Sequence, residues 1–284
     1  MRKKRHRLII FFGMILSIML FLYIQLNWIT LTNENIYVDN LPEEFNGFKI
    51  LQLSDLHSKS FGNDNAYIIK KINNIDPNII VMTGDMRTNT PEDKGEVLIT
   101  ILEKLNRKYP IYYVTGEHEE GKYYEDENKY LKERTKEDYE KKLEEIGVTV
   151  LNDKKTQIQY GDRTINIYGL KEKLQGSLYL EERLGNPRLE EVNILLAHTP
   201  NYFNEYVDWG ADAIFSGDKH GGIIRLPFIG GIVSSGGTFF PEYDGGVYKR
   251  NHATMVVSRG LGNYGINIRV FNRPEIIVVT LKDL

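Results

Sequence analysis

The sequence predicts a mixed α/β domain that follows a single membrane-spanning helix. Three observations lead to this expectation. The first 31 residues combine a basic tip with a long apolar run, short continuous apolar runs then alternate with helical periods, and residues with metal-binding chemistry follow several of those runs directly. Near-continuous apolar strands that alternate with helices are typical of sheets covered by helices.

The amino-terminal segment predicts a membrane anchor. Residues 8–24 are apolar apart from Gly13 and Ser17, and apolar character continues weakly to residue 31. This length suffices for one helix to cross the hydrocarbon of a bilayer. Because five basic residues precede the run and no small-x-small cleavage site follows it, we expect a single-pass signal anchor in residues 1–31. The amino terminus is then cytoplasmic and the body extracytoplasmic, with a cleaved signal peptide or a buried core helix as the alternatives. Tyr23 and Trp28 fall where an interfacial aromatic belt would lie.

The composition of the remaining chain limits the classes of function. The first ten residues carry five basic and no acidic side chains, which leaves 31 basic against 39 acidic residues in the rest. An acidic body argues against general nucleic-acid binding, which requires a basic surface for phosphates. The absence of cysteine excludes disulfides, zinc–thiolate sites and thiol nucleophiles. We expect residues 32–284 to form one domain and the protein to be a monomer.

The expected elements follow from the periodicity of apolar residues. Residues 32–35 are predicted to be a short linker and residues 217–246, rich in glycine, to form turns and loops. Helical periods cover residues 65–75, 94–107 and a highly charged stretch at 124–146. Strands are expected at residues 48–53, 78–83, 111–115, 163–168, 192–197, 211–216, 254–258, 266–270 and 275–281.

Acidic and histidine residues collect at the carboxyl ends of the expected strands, where open α/β sheets place their binding crevices. Asp55 and His57 follow the first strand, and alternate residues of an extended chain point the same way, so they are expected to reach one point. A converging carboxylate and imidazole suit a divalent metal; for these two residues alone, the alternative is a turn-capping aspartate beside a surface histidine. Four of the six histidines lie at such strand ends. A glycine precedes Asp85, Glu117 and Asp218 and allows a sharp turn there.

In this order, the segments resemble the motifs of the calcineurin-like metallophosphoesterases, D-x-H, GD, GNH(D/E), H and GHxH. The resemblance covers nearly everything after the anchor, and residues 221–227 with residues 258–260 are similar to the membrane-anchored bacterial branch. It implies a β-sandwich flanked by helices in four layers, α/β/β/α. The segments that carry the resemblance are Asp55-Leu56-His57, Gly84-Asp85, Gly116-Glu117-His118-Glu119, Ala197-His198 and Gly217-Asp218-Lys219-His220.

The resemblance also implies two divalent metal ions, about 4 Å apart, that share a bridging carboxylate and activate a bridging hydroxide for attack on phosphorus. By motif position, one ion is held by Asp55, His57, Asp85 and His220. The other is held by Asp85, Glu117, His198 and Asp218.

Three further roles are expected from the resemblance. His118 would protonate the leaving oxygen or stabilise charge on it. Glu119 would orient His118, or else be an ordinary surface acid. Arg225 and Arg259 would bind substrate phosphate, or else be structural ion-pair partners.

The sequence departs from the family pattern at two positions of the second metal. Glu117 stands where the family has asparagine, and Asp218 where it has the first histidine of GHxH. Additional carboxylates favour harder ions, so manganese is expected, with magnesium, iron or zinc as alternatives. Lys219 is expected to face solvent, because it would alternate with its neighbours in an extended chain.

The favoured function is a membrane-anchored, metal-dependent phosphoesterase that hydrolyses a phosphomonoester or phosphodiester. The anchor makes a lipid-linked or cell-envelope phosphate one candidate substrate. The alternative is a non-catalytic surface protein that binds metal or phosphate through a degenerate second metal site, as the two departures suggest. A nuclease is disfavoured by the acidic body.

Overall fold

The structure is a computed structural model that describes residues 2–90, 92–105, 107–120, 129–172, 177–226, 228–234, 237–263 and 268–284. Its α-helices are α1 (Arg2–Asn27), α2 (Ala66–Ile75), α3 (Glu96–Leu105), α4 (Glu117–Glu120), α5 (Lys129–Ile146), α6 (Ser177–Leu184) and α7 (Phe203–Trp209). The strands are β1 (Thr30–Val38), β2 (Lys49–Leu53), β3 (Ile79–Thr83), β4 (Ile111–Val114), β5 (Val148–Val150), β6 (Lys154–Tyr160), β7 (Arg163–Leu170), β8 (Asn193–Ala197), β9 (Ala213–Ser216), β10 (Ile224–Leu226), β11 (Gly230–Val233), β12 (Gly246–Arg250), β13 (Ala253–Val257) and β14 (Glu275–Asp283).

Twelve of these strands form two six-stranded sheets. The first has the order β1-β14-β2-β3-β4-β5 and the second the order β12-β13-β9-β8-β7-β6, while β10 and β11 make a separate hairpin. β2 through β5 pair in parallel in the first sheet, and β7, β8, β9 and β13 pair in parallel in the second. Parallel strands buried on both faces require continuous apolar runs, and every residue of β3, β4, β8, β9 and β13 is buried.

The core lies in three layers between four layers of structure. Residues such as Ile50 and Val81 of the first sheet and Ile194 and Phe215 of the second pack together in the middle. A second cluster joins the first sheet to α2, α3 and α5, and a third joins the second sheet to α6 and α7. The predicted α/β/β/α arrangement is therefore confirmed.

Helix α1 covers the segment that was expected to be a membrane anchor. It is the one helix of the described chain that is long and apolar enough to cross a membrane, and 6% of its most apolar window is buried. Its carboxyl end contacts the body, where the rings of Phe21 and Phe271 meet edge to face with centroids 5.5 Å apart. Lys59 donates to the carbonyl oxygen of Leu26 in the last turn of α1, at 2.5 Å.

Several details differ from the sequence expectations. The predicted linker at residues 32–35 is wrong, because these residues lie inside β1, which pairs in parallel with β14. β1 is an edge strand whose first six residues alternate between partly buried and exposed. Its polar side chains therefore hid the strand from a search for apolar runs. In the expected strand at 266–270, Val270 forms an isolated bridge with Ile224, and residues 266–267 lie outside the described part. The expected helix at 124–146 corresponds to α5, with residues 124–128 outside the described part.

Candidate metal centre

The acidic and histidine residues from both sheets meet at one end of the sandwich. Asp55 and His57 follow β2, and Asp85 follows β3. His118 lies in α4 directly after β4, while His198 follows β8 and His220 follows β9. All six residues are buried, which places the candidate centre at the seam between the two sheets.

Asp85 occupies the middle of the cluster. Its Oδ2 atom lies 3.4 Å from Nε2 of His198 and 3.8 Å from Nε2 of both His57 and His118. Its Oδ1 atom accepts a hydrogen bond from the backbone N–H of His118 at 2.8 Å. The carboxylate of Asp85 thus lies close to three candidate metal ligands at once.

Asp55 and His220 extend the cluster on one side. Nε2 of His220 lies 3.4 Å from Oδ1 of Asp55 and 3.2 Å from Nε2 of His57. Three groups have ligand atoms that all lie within 4.8 Å of one another: Asp55, His57 and His220; Asp55, Asp85 and His198; and His57, Asp85 and His118.

The backbone brings these side chains together by left-handed turns. The φ angles are 49° at Asp55, 46° at His57, 52° at Asp85 and 54° at His220, a region that residues other than glycine seldom occupy. The expectation that Asp55 and His57 converge through strand alternation is therefore wrong in its reason, because β2 ends at Leu53. The turns are held by bonds between neighbouring loops: the N–H of Asp55 donates to Gly84 O, and that of His57 to Asp85 O, each at 3.0 Å.

The three glycines that precede candidate ligands are required for different reasons. Gly84 has φ +90° and makes the expected sharp turn. Gly116 and Gly217 have no such φ, so the expected reason is wrong for them. A Cβ at residue 116 would overlap the carboxylate of Asp85, and one at residue 217 would overlap Ser54 and the carboxylate of Asp55. These two glycines permit a close approach rather than a turn.

Glu119 positions the loop that carries Asp85. Its carboxylate accepts backbone N–H bonds from Asp85 at 2.9 Å, Met86 at 2.7 Å, Arg87 at 3.2 Å and Gly116 at 2.9 Å. Burial, together with the charge of Asp85, raises the pKa of Glu119. The alternative of an ordinary surface acid is wrong, because Glu119 is 3% exposed.

The electrostatics of the cluster favour a bound cation. Burial raises the pKa of Asp55 to about 7 and lowers the pKa of His57 to about 3. Burial by itself raises the pKa of Asp85, but the combined effect of His198, His57 and His118 outweighs it and holds that pKa well below its usual range. Burial and the charge of His57 lower the pKa of His220. A cation would favour ionised carboxylates and neutral imidazoles together.

The hydrogen-bond inventory supports a divalent ion as well. Among the described residues, Oδ2 of Asp55 and Nε2 of His198 face the cluster and are buried without a hydrogen-bond partner. Buried polar atoms are almost always satisfied, so such a concentration indicates a missing partner. Carboxylate oxygens and imidazole nitrogens are common ligands of divalent transition ions, and the residues present fit such ions.

Glu117 and Asp218 lie at the edge of this cluster. Glu117 begins α4 and is partly buried. The backbone N–H of Asp218 donates to Oδ1 of Asp55 at 3.1 Å, and its carboxylate lies 2.7 Å from Nζ of Lys219. Neither acid belongs to the three ligand groups of the described residues. The expectation that Lys219 faces solvent is wrong, because its side chain is 19% exposed and pairs with Asp218. The alternation on which it rested does not apply, since β9 ends at Ser216.

Arg225 and Arg259 line a cavity of about 480 Å³ on the side of the hairpin β10–β11. Nη1 of Arg225 lies 2.7 Å from Oδ2 of Asp244, and Arg259 forms an ion pair with Glu275. Each arginine therefore has an acidic partner, as expected for a structural ion pair. Each also lines a cavity that a ligand could enter.

Arg269 and Asn272 were not expected near the site. Arg269 is 2% exposed, and its guanidinium donates to the carbonyl oxygens of Gly262 and Asn272, at 2.5 and 3.2 Å. Burial lowers the pKa of Arg269 to about 10, against the charge of Asp55. A lone arginine in the apolar run 268–271 was the available signal in the sequence. Asn272 carried no such signal.

Comparison with known proteins gives consistent results. A model of the family described as calcineurin-like phosphoesterase matches residues 48–222. The chain is 30% identical over 265 residues to the uncharacterized metallophosphoesterase YkuE of Bacillus subtilis (strain 168), which covers 92% of this chain and 88% of that protein. It is 29% identical over 249 residues to the metallophosphoesterase YkoQ of the same strain, with 84% of each covered. It is 24% identical over 288 residues to the UDP-2,3-diacylglucosamine pyrophosphatase LpxG of Chlamydia muridarum (strain MoPn / Nigg), with 84% of this chain and 86% of that protein covered.

Proposed function

This chain belongs to the calcineurin-like phosphoesterase family, and we propose that it hydrolyses a phosphomonoester or phosphodiester at the outer surface of the cell membrane. Membership makes it a metallophosphoesterase, a hydrolase that acts on phosphoric esters. The observation that carries the assignment of the site is the carboxylate of Asp85, which lies within 3.8 Å of Nε2 of His57, His118 and His198.

We assign two divalent ions to this site, with manganese as the preferred metal. Asp55, His57, Asp85 and His220 would hold the first ion. Asp85, Glu117, His198 and Asp218 would hold the second. When bound, such ions polarise a phosphoryl oxygen and lower the pKa of a water molecule.

The remaining chemistry is performed by the chain itself. His118 would donate a proton to the leaving oxygen as the P–O bond breaks, a role that a positioned imidazole suits. Nδ1 of His198 lies 2.7 Å from Thr83 O and would donate to it, which fixes the ring so that Nε2 faces Asp85. Glu119 holds the backbone of the Asp85 loop and so fixes the direction of the shared carboxylate.

The membrane location is proposed from α1 and from the charge asymmetry around it. Basic residues precede the apolar segment, which would keep the amino terminus in the cytoplasm and the enzyme domain outside. One relative is named a UDP-2,3-diacylglucosamine pyrophosphatase, which supports a lipid-linked substrate for this chain.

The proposed chemistry is tested with the full chain in detergent, stripped of metal and then supplied with manganese. We expect hydrolysis of an aryl phosphate or a bis-aryl phosphate, and His118→Asn should lower kcat by about 10²–10⁴-fold, as for the loss of a general acid. His252→Asn is the matched control, because His252 is 38% exposed and lies in the turn between β12 and β13. Manganese-dependent turnover that is the same in wild type and His118→Asn would contradict the role of His118, and no turnover in either would contradict the catalytic proposal.

The substrate class is tested separately with lipid phosphates, nucleotides and aryl phosphates. We expect the highest kcat/KM on a lipid-linked phosphate. Activity confined to soluble nucleotides would rule out the lipid-linked class while leaving the hydrolase in place.

A further inference from the structure

Five large apolar side chains project from the loops around the hairpin β10–β11. We call them the apolar rim: Phe228, which is fully exposed, and Ile229, Phe239, Phe240 and Phe271, with exposed fractions of 61%, 69%, 65% and 56%. All four phenylalanines that are exposed in the described chain outside α1 belong to this rim. Concentrated apolar exposure of this kind marks an interaction surface.

Backbone pairing holds the rim in place. The N–H of Arg225 in β10 donates to Val270 O, and the N–H of Val270 donates to Ile223 O, each at 3.0 Å. On the other side of the hairpin, Val233 of β11 bridges to Phe239, and the N–H of Phe240 donates to Ile232 O at 2.9 Å. The rim is therefore displayed on four adjacent paired segments rather than on independent loops.

The rim is continuous with the carboxyl end of α1. Phe271 packs edge to face against Phe21, and Lys59 links the last turn of α1 to the body by donating to Leu26 O at 2.5 Å and to Leu261 O at 3.4 Å. Trp28, directly after α1, is 57% exposed. If α1 crosses a bilayer, these contacts place the rim at the level of the membrane surface.

The rim is also continuous with the metal centre. The side-chain amide of Asn272, next to Phe271, donates to His220 O at 2.7 Å and to Gly222 O at 2.5 Å. The cavity lined by Arg225 and Arg259 is bounded by Phe228 and Phe271. One loop system therefore carries the rim, the arginine-lined cavity and a candidate metal ligand.

We propose that the apolar rim inserts into the interfacial region of a lipid bilayer beside α1, so that the metal centre opens toward the membrane surface. This proposal rests on the proposed anchoring by α1. Aromatic side chains are most stabilised at the boundary between headgroups and acyl chains. A rim inserted there, with two guanidinium groups behind it, selects substrates whose phosphate is carried at the bilayer surface.

The test uses the full chain, which contains no cysteine, so that a single introduced cysteine carries an environment-sensitive fluorophore. The protein is reconstituted into vesicles of phosphatidylcholine and phosphatidylglycerol that contain lipids spin-labelled near the headgroup. Phe228→Cys and Phe240→Cys report on the rim. Leu189→Cys is the matched control, because Leu189 is 73% exposed and precedes β8, whereas the metal centre lies beyond the carboxyl end of that strand. Leu16→Cys, within α1, reports on anchoring itself.

We expect the labels at 228 and 240 to shift to shorter wavelength and to lose about half of their emission, because interfacial segments lie roughly 5–10 Å into the headgroup and acyl boundary. The label at 189 should show neither effect. If the label at 16 reports lipid while those at 228 and 240 behave like the control, the rim proposal is overturned and anchoring stands. If the label at 16 does not report lipid either, anchoring fails as well. A wavelength shift that increases with the density of protein in the vesicles, and that occurs without quenching, would show that a second copy covers the rim. That result also overturns the proposal.

Discussion

Among single residues, Arg259 has two possible roles, one as the structural partner of Glu275 and one in substrate binding. Its ion pair with Glu275 allows the two roles to be told apart. Both side chains are largely buried, with 18% and 4% exposed. Burial by itself raises the pKa of Glu275, but its hydrogen bond and ion pair with Arg259 hold that pKa below its ordinary value. Removal of the guanidinium would leave a buried carboxylate without its cation, a change that commonly costs about 3–5 kcal/mol.

We therefore expect Arg259→Met to lower the free energy of unfolding at pH 7 by several kcal/mol, measured by urea denaturation. In wild type, the depressed pKa of Glu275 gives stability that is present above its unfolded pKa and is lost as the pH falls through the folded value. In the variant, burial dominates and raises the folded pKa, so the deficit should shrink as the pH falls from 7 toward 5. Arg183→Met is the control, because Arg183 is half exposed and 3.9 Å from Asp153. An unchanged stability with a raised KM would instead assign Arg259 to substrate binding.

At the scale of elements, the close approach of the turn after β9 to the loop after β2 joins the two sheets at the site. Gly217 makes this approach, and its N–H donates to His198 O at 2.9 Å. A methyl group at this position would push against Ser54 and Asp55, of which Asp55 is a candidate ligand.

We expect Gly217→Ala to lower manganese-dependent turnover by about 10–100-fold and to cost about 1–3 kcal/mol of stability, as for overpacking in a tight interior. Activity assays and urea denaturation of the same preparation check both values. Gly13→Ala is the matched control, since a Cβ there meets nothing within 4 Å. Full activity in Gly217→Ala would show that the two loops separate without harm to the site.

The same elements show how far the sequence predicts the molecule. Buried parallel strands such as β3 and β8 are recognisable in the sequence as continuous apolar runs. The layers, and the strand ends that carry the site, can therefore be predicted from periodicity. β1 could not be recognised in this way, because none of the first six residues of this edge strand is buried. The convergence of Asp55 and His57 was predicted, but its left-handed turns were not, because they depend on bonds to the loop after β3. Arg269 and Asn272 are held near the site by bonds to the backbone of Gly262 and His220, contacts that no local pattern records.

At the scale of the whole molecule, the candidate metal centre lies where the two sheets can be linked. Asp55 and Asp85 belong to the first sheet, and His198 and His220 belong to the second. Across the seam, Nε2 of His198 lies 3.4 Å from Oδ2 of Asp85, and Nε2 of His220 lies 3.4 Å from Oδ1 of Asp55. Ions that bind these groups in the folded state alone would stabilise both sheets together.

We therefore expect manganese to raise the Tm of the metal-stripped protein, measured by scanning calorimetry in detergent. At a free ion concentration 100 times Kd, the linkage amounts to about 2.7 kcal/mol, or roughly 5 °C for a domain of this size. Asp85→Asn should lose most of the shift, because it removes the charge that both proposed ions share. Asp212→Asn is the control: Asp212 is another poorly exposed aspartate, whose pKa burial raises to about 6, but it precedes β9 at the end of the second sheet opposite the metal centre. Equal shifts in the two variants would place the stabilising ion elsewhere and remove the structural basis for the assigned ligands.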